Sequence, residues 1–192
     1  MVGLLPGSRR EEVANLLPPM LEAARRLAGS DGKRTFVLGL APTVSRTTID
    51  EFITRAAAPP VNVAEGLTHE VMAAADVLLV ASGTATLEAA LLGTPMVVCY
   101  RVSRLTEVVG RLLTQIPWIS LPNIVAGRTV VPEILQADVT GARLAAEAEH
   151  LLGDAPLATA QRASFKDLRE RLGESGVGER AARVILKVAG VA

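Results

Sequence analysis

Chemistry in this chain is most legible between positions 82 and 88. Ser82-Gly83-Thr84 are small residues that separate a short apolar run, residues 77–81, from a helix-like run ending at Leu92. A strand, a small-residue turn and a helix start present bare backbone N–H groups and the positive end of a helix dipole, a combination that suits a phosphate. Glu88 comes one turn into the helix, within reach of a sugar hydroxyl beside that phosphate. The plain alternatives are an ordinary helix cap at 82–84 and a surface carboxylate at Glu88.

A second corner of the same kind is Pro6-Gly7-Ser8-Arg9, after the apolar residues 2–5. Gly7 lets the backbone come close to a ligand, and Arg9 offers forked donors that match a phosphate. A turn, a helix cap and a solvated arginine are the bland reading. The third candidate is Cys99-Tyr100-Arg101, and the fourth is the segment 120–128, which mixes apolar residues with Pro122, Asn123 and Gly127. Asn123, Glu133 and Gln136 there are polar groups able to face a ligand, or else parts of a buried connection. Two phosphate-type corners with an acidic residue placed for a ribose point to a nucleotide diphosphate.

Several chemistries are poorly supported. There is no G-x-x-x-x-G-K-[ST] loop, no G-x-G-x-x-G fingerprint and no G-x-S-x-G elbow. The single Cys99 rules out an internal disulfide and a cysteine-based zinc site, and two histidines, His69 and His150, speak against a histidine-rich metal site. No metal and no cofactor are therefore expected. His69 follows the Gly66 loop, so it either borders the site or is a simple helix N-terminal residue. Formal net charge is zero, which gives no reason to expect a nucleic-acid partner. The cations are 17 Arg against 3 Lys, a coding bias that lowers the meaning of any lone arginine.

The elements that must hold these residues follow from apolar periodicity. Strands are expected at 2–5, 35–40, 61–64, 77–81 and 96–100. Helices are expected at 11–28, 44–58, 68–75, 84–92, 105–113, 132–136, 140–152, 157–172 and 179–188. Ser8 and Glu11 fit a capping box for the first helix, Pro18-Pro19 should kink or break it, and Thr68 should cap the third. Residues 119–127 read as loop. Continuous apolar strands alternating with helices predict an α/β fold, a Rossmann-like parallel sheet with helices on both faces. Residues 1–192 read as one domain, with about 155–192 as a helical tail. With 49% apolar residues and 21% charged, the composition is globular. No signal peptide and no apolar run near the roughly 20 residues of a membrane span are seen, so a cytoplasmic location is expected. A strand that begins at Val2 with no lead-in leads to the expectation of a fragment, or a naturally truncated half of something larger.

The motifs Leu4-Leu5-Pro6-Gly7-Ser8-Arg9, residues 81–88, residues 95–101, residues 120–128 and Pro132-Glu133-Ile134-Leu135-Gln136 occur in this order. Together they resemble the C-terminal half of the lipid-A-disaccharide synthase family over essentially the whole chain. That resemblance implies half of a GT-B glycosyltransferase, with extra C-terminal helices and without the N-terminal, acceptor-side domain. It implies an inverting, metal-independent transfer from UDP-2,3-diacylglucosamine to 2,3-diacylglucosamine 1-phosphate, giving the disaccharide 1-phosphate and UDP. In this domain it implies a UDP site built from Gly7, Ser8, Arg9, Ser82, Gly83, Thr84, Glu88, Tyr100, Arg101, Asn123 and Gln136. Arg9 would stabilise the leaving group as the catalytic residue present, and the general base is expected on the missing domain. The chain departs from the family in lacking aromatic residues at 104–113. A helix there, edged by Arg104 and Arg111, would either rest on an anionic membrane or pack on the sheet, packing being favoured. Other readings remain: a different UDP-N-acetylglucosamine enzyme of this plan (a peptidoglycan glycosyltransferase or a 2-epimerase), or a non-enzymatic UDP-sugar module completing a site on another chain.

Overall fold

The computed structural model describes residues 1–29, 33–101, 117–174 and 176–190. The expected helix at 105–113, with Arg104 and Arg111, lies outside the described residues.

Six strands form one parallel sheet in the order β3-β2-β1-β4-β5-β6. They are β1 (Val2–Leu5), β2 (Phe36–Leu40), β3 (Val61–Glu65), β4 (Val77–Ala81), β5 (Met96–Tyr100) and β6 (Glu133–Leu135). The register is regular: Val2 lies beside Phe36 on one side and Val77 on the other. Alternate residues of each central strand serve opposite faces. Val2, Leu4, Phe36, Leu38, Val77, Leu79 and Val97 join one core, while Leu5, Leu78, Val80, Met96 and Val98 join the other. Both faces of the sheet are buried, so the strands read as unbroken apolar runs.

On the first face lie α1 (Arg10–Leu27), α2 (Arg46–Arg55) and α6 (Gly141–Gly153), with α1 packed along α6. The other face carries α3 (Thr68–Ala74), α4 (Thr84–Leu92), α5 (Leu121–Ala126) and α7 (Ala155–Leu172). A last helix, α8 (Val177–Val188), buries no residue. Each fully buried Leu or Met of these faces contributes about 1.5–3 kcal/mol of hydrophobic stabilisation.

The parallel Rossmann-like sheet is as the periodicity predicts. Six details differ. First, α1 runs through Pro18 and Pro19 in one piece, with Leu16, Leu17, Met20 and Leu21 fully buried around them. Its tertiary packing outweighs the loss of two helix hydrogen bonds. Second, its capping residue is Glu12 rather than Glu11, because Arg9 and not Ser8 is the N-cap. Third, Leu67 rather than Thr68 precedes α3, without a side-chain cap. Fourth, residues 121–126 are helical, with Pro122 in the first turn and Gly127 at φ +66° ending it. Fifth, the expected helix at 132–136 is a strand edge, β6, paired with β5 through Val98–Glu133 to Tyr100–Leu135. The tail expected from about 155 also begins later: α7 buries Ala158, Gln161, Phe165 and Leu168, and the Gln161 amide bridges the N–H and C=O of Met96.

Candidate functional site

Strand order reverses between β1 and β4. The chain leaves β1 toward β2 and β3 on one side, and leaves β4 toward β5 and β6 on the other. Beyond the carboxyl ends of those two strands the crossovers diverge and leave a crevice, the general ligand position in open α/β sheets. A cavity of about 380 Å³ lies there. Its walls are the turn after β1 (Gly7, Ser8, Arg9, with Glu12), the corner after β4 (Ser82 to Ala85) and Glu88. Its floor includes Gly39, Ala41, Thr68 and Met72.

The first wall is set by Glu12. Its Oε2 accepts from the Ser8 and Arg9 amides at 3.1 and 3.3 Å, and its Oε1 accepts from the Arg9 guanidinium at 2.6 Å. The two bare amides expected after Gly7 are therefore already satisfied within the protein. Gly7 has φ +107°, and a Cβ on it would stand 2.4 Å from Glu12 Oε2. Arg9 remains largely exposed at the cleft, steadied by its carboxylate partner. The Thr43 hydroxyl donates to the Ser8 carbonyl and ties this turn to the loop after β2.

The second wall is left open. Ser82 donates its amide to the Cys99 carbonyl and its hydroxyl to the Ile119 carbonyl at 2.9 Å. Gly83 is the N-cap of α4 and, among the described residues, no side chain caps the helix. The Thr84 and Ala85 amides open the helix, where geometry gives an N–H no intrahelical partner. Gly83 is extended, at φ 163°, and a Cβ on it would meet nothing within 4 Å. Its missing side chain thus keeps the cavity clear against the helix start. Glu88 follows one turn later, its Oε2 3.0 Å from His69 Nε2. His69 therefore meets Glu88 from α3 but does not itself line the cavity.

Seven of the residues singled out in the sequence, Gly7, Ser8, Arg9, Ser82, Gly83, Thr84 and Glu88, meet around this one cavity. Four others do not line it. Arg101 spends its guanidinium on the Gln136 and Val139 carbonyls, at 3.1 and 2.6 Å, and Tyr100 is half-buried at the end of β5. Gln136 opens a 3₁₀ turn at φ +52°. Asn123 has no exposed surface. Its Oδ1 accepts from the Val130 and Val131 amides at 2.7 and 2.9 Å, and its Nδ2 donates to the Val131 carbonyl and to Glu133 at 3.0 and 2.8 Å. An amide with its hydrogen-bonding positions filled inside the protein has nothing to offer a nucleotide, so the expected ligand role gives way to a structural one. Cys99 is no nucleophile either, since burial pushes its thiol up to about 12.

Sequence reasoning missed Glu12, Gly39 and Thr68. Glu12 was readable only after the N-cap had been fixed at Arg9. Gly39 shows its reason in space: a Cβ there would stand 2.6 Å from Leu5 Cδ2.

Known proteins are similar in sequence and fold. The family described as Lipid-A-disaccharide synthetase matches residues 1–187. The chain is 44% identical over 187 residues to lipid-A-disaccharide synthase of Anaeromyxobacter sp. (strain K), covering 97% of this chain and 49% of that protein. It is 45% identical over 185 residues to the same enzyme of Syntrophus aciditrophicus (strain SB), covering 96% and 48%. The chain thus spans about half the length of the curated relatives it matches. Among solved structures, a calicheamicin glycosyltransferase superposes with a TM-score of 0.58 at 18% identity, covering all of this chain and 42% of that one. A glycosyltransferase of kitacinnamycin gives 0.56 at 25% identity, covering 97% and 42%. The fold is that of one half of a GT-B glycosyltransferase.

Proposed function

The chain belongs to the lipid-A-disaccharide synthetase family, and from that premise we propose that it binds the UDP part of the sugar donor in a lipid A glycosyltransferase. The observation that carries the reading is the convergence of Arg9, the uncapped start of α4 and Glu88 on one cavity at the switch point of the sheet.

Each part has a task. The diphosphate lies against the Gly83, Thr84 and Ala85 amides, where the helix end favours an anion by about 0.3–1 kcal/mol and more when partly buried. Glu88 accepts from the ribose hydroxyls, and His69 holds its carboxylate. During transfer the acceptor hydroxyl attacks the anomeric carbon, the bond from that carbon to the diphosphate oxygen breaks, and UDP departs with added negative charge. Arg9 and the amides receive that charge, the kind of preorganised stabilisation that lowers a barrier most. The base that takes the hydroxyl proton is expected from the part of the relatives that this chain does not span.

The donor of this reading is UDP-2,3-diacylglucosamine, the acceptor is 2,3-diacylglucosamine 1-phosphate, and neither metal nor further cofactor takes part. The matching location is the cytoplasm, on the inner face of the inner membrane. No helix of the described residues is long and apolar enough to cross a membrane.

Calorimetric titration with UDP, UMP, 2′-deoxy-UDP and uridine tests the reading. UDP is expected to bind most tightly, and loss of the β-phosphate or of the 2′-hydroxyl should each weaken binding. No heat with UDP at about 10 mM, beyond the weakest affinities of interest, would overturn it.

A further inference from the structure

Glu133 does not line the cavity, yet among the described residues its carboxylate accepts four hydrogen bonds. Oε2 accepts from the Ile119 amide at 3.0 Å. Oε1 accepts from the Ser120 amide at 2.9 Å, the Ser120 hydroxyl at 2.6 Å and the Asn123 side chain at 2.8 Å. Glu133 opens β6, whose register is fixed by pairing with β5. The carboxylate thus pins two successive peptide units to a rigid strand. The carbonyl of one pinned residue, Ile119, receives the Ser82 hydroxyl at 2.9 Å. Ser82 directly precedes Gly83, the uncapped start of α4.

We propose that Glu133 is a positioning residue for the diphosphate corner, acting through Ile119 and Ser82. This rests on the reading of the cleft as a UDP seat. The physical reason is the short chain of links. A charged acceptor with four donors is stronger and stiffer than a neutral one. It holds the Ile119 carbonyl in place, and that carbonyl fixes the hydroxyl side of the turn whose amides meet the ligand. Preorganised amides need tolerances well below an ångström to be effective. Ser82 therefore serves the site from behind, by orienting the backbone.

A mutant cycle with UDP calorimetry tests this, using E133Q, S82A and the double variant, with thermal melts to confirm folding. E133Q keeps the size of the side chain but turns an N–H₂ toward the donors. E133Q and S82A should each weaken UDP binding about tenfold, and the double variant no more than the weaker single, because both cut the same strut. In parallel, amide hydrogen exchange without ligand should quicken in E133Q at Ser82 and Thr86, the hydrogen-bonded amides that flank the corner. If E133Q does not fold, S120A removes only one of the four donors and should weaken UDP about threefold. Wild-type affinity in the folded E133Q or S120A variant, or losses that multiply in the double variant, would overturn the proposal. A wild-type chain that ignores UDP overturns the functional reading instead, and unchanged exchange at Ser82 and Thr86 then overturns the strut on its own.

Discussion

Gly7 and Glu12 are locked to each other: the Glu12 carboxylate lies against the Gly7 α-carbon, where a Cβ would be 2.4 Å from Oε2. From that position it caps α1 and holds the Ser8 and Arg9 amides. The turn after β1 is thus internally satisfied, and the corner after β4 is left to meet the ligand.

Gly7→Ala is expected to destabilise the protein by about 1–3 kcal/mol, from the left-handed φ and the clash together. Glu12→Ala should cost about 1 kcal/mol as a lost cap. Urea unfolding measures both. A neutral Gly7→Ala would contradict the lock.

Gly83→Ala should behave in the opposite way. The residue is extended and a Cβ meets nothing, so the stability cost is at most about 1 kcal/mol, that of a poorer N-cap. The methyl group would stand in the cavity, and UDP affinity should fall about tenfold or more, roughly 1.4 kcal/mol. Equal affinity in wild type and variant would remove Gly83 from the ligand wall.

Asn123→Ala should lower stability by about 3 kcal/mol or more, since it strands the buried amides of Val130 and Val131 and removes one donor from the Glu133 carboxylate. Asn123→Asp should be worse, because it sets a second carboxylate against Glu133. Urea unfolding decides it, and a change within about 0.5 kcal/mol, the range of ordinary surface sites, would contradict the assigned role.

The Glu149 carboxylate is held below its ordinary value of 4.5 by hydrogen bonds from the Arg34 guanidinium, at 2.5 and 2.6 Å. A depressed carboxylate stabilises the fold above its unfolded value, and that contribution disappears as pH falls through the folded one. Both side chains are substantially exposed, so Glu149→Gln should cost no more than about 1 kcal/mol at neutral pH. The difference between wild type and variant should shrink as pH falls below 4.5 and vanish once pH has passed below the depressed folded value. Melting temperatures across that range check it, and a gap that persists at low pH would contradict the pairing.

Much of this was legible in the chain because buried parallel strands and amphipathic helices write themselves as period and run. The two ligand corners were legible because Gly7, Ser82 and Gly83 follow apolar runs directly. What misled was short or tertiary. Residues 133–135 form three residues of strand whose only reason is β5 beside them, so Pro132 at the head of the segment suggested a helix. The helix at 121–126 hid behind Pro122 and Gly127, although those residues are helix signals when placed at the start and just past the end. Asn123 looked like a ligand group because nothing in a linear sequence distinguishes a polar side chain facing a cleft from one facing buried amides. Pro18 and Pro19 suggested a break because local propensity carries no knowledge of the apolar face that α1 buries against α6.

The central claim is that the diphosphate of UDP rests on the backbone at the start of α4. Amide-resolved NMR titration of the chain with UDP tests it most directly. Binding should move the Gly83, Thr84 and Ala85 resonances most, with a smaller response around Arg9 and Glu88, and UMP should move the three amides less. Saturable shifts centred elsewhere, such as around Thr140 and Arg143, with residues 83–85 unmoved, would contradict the account.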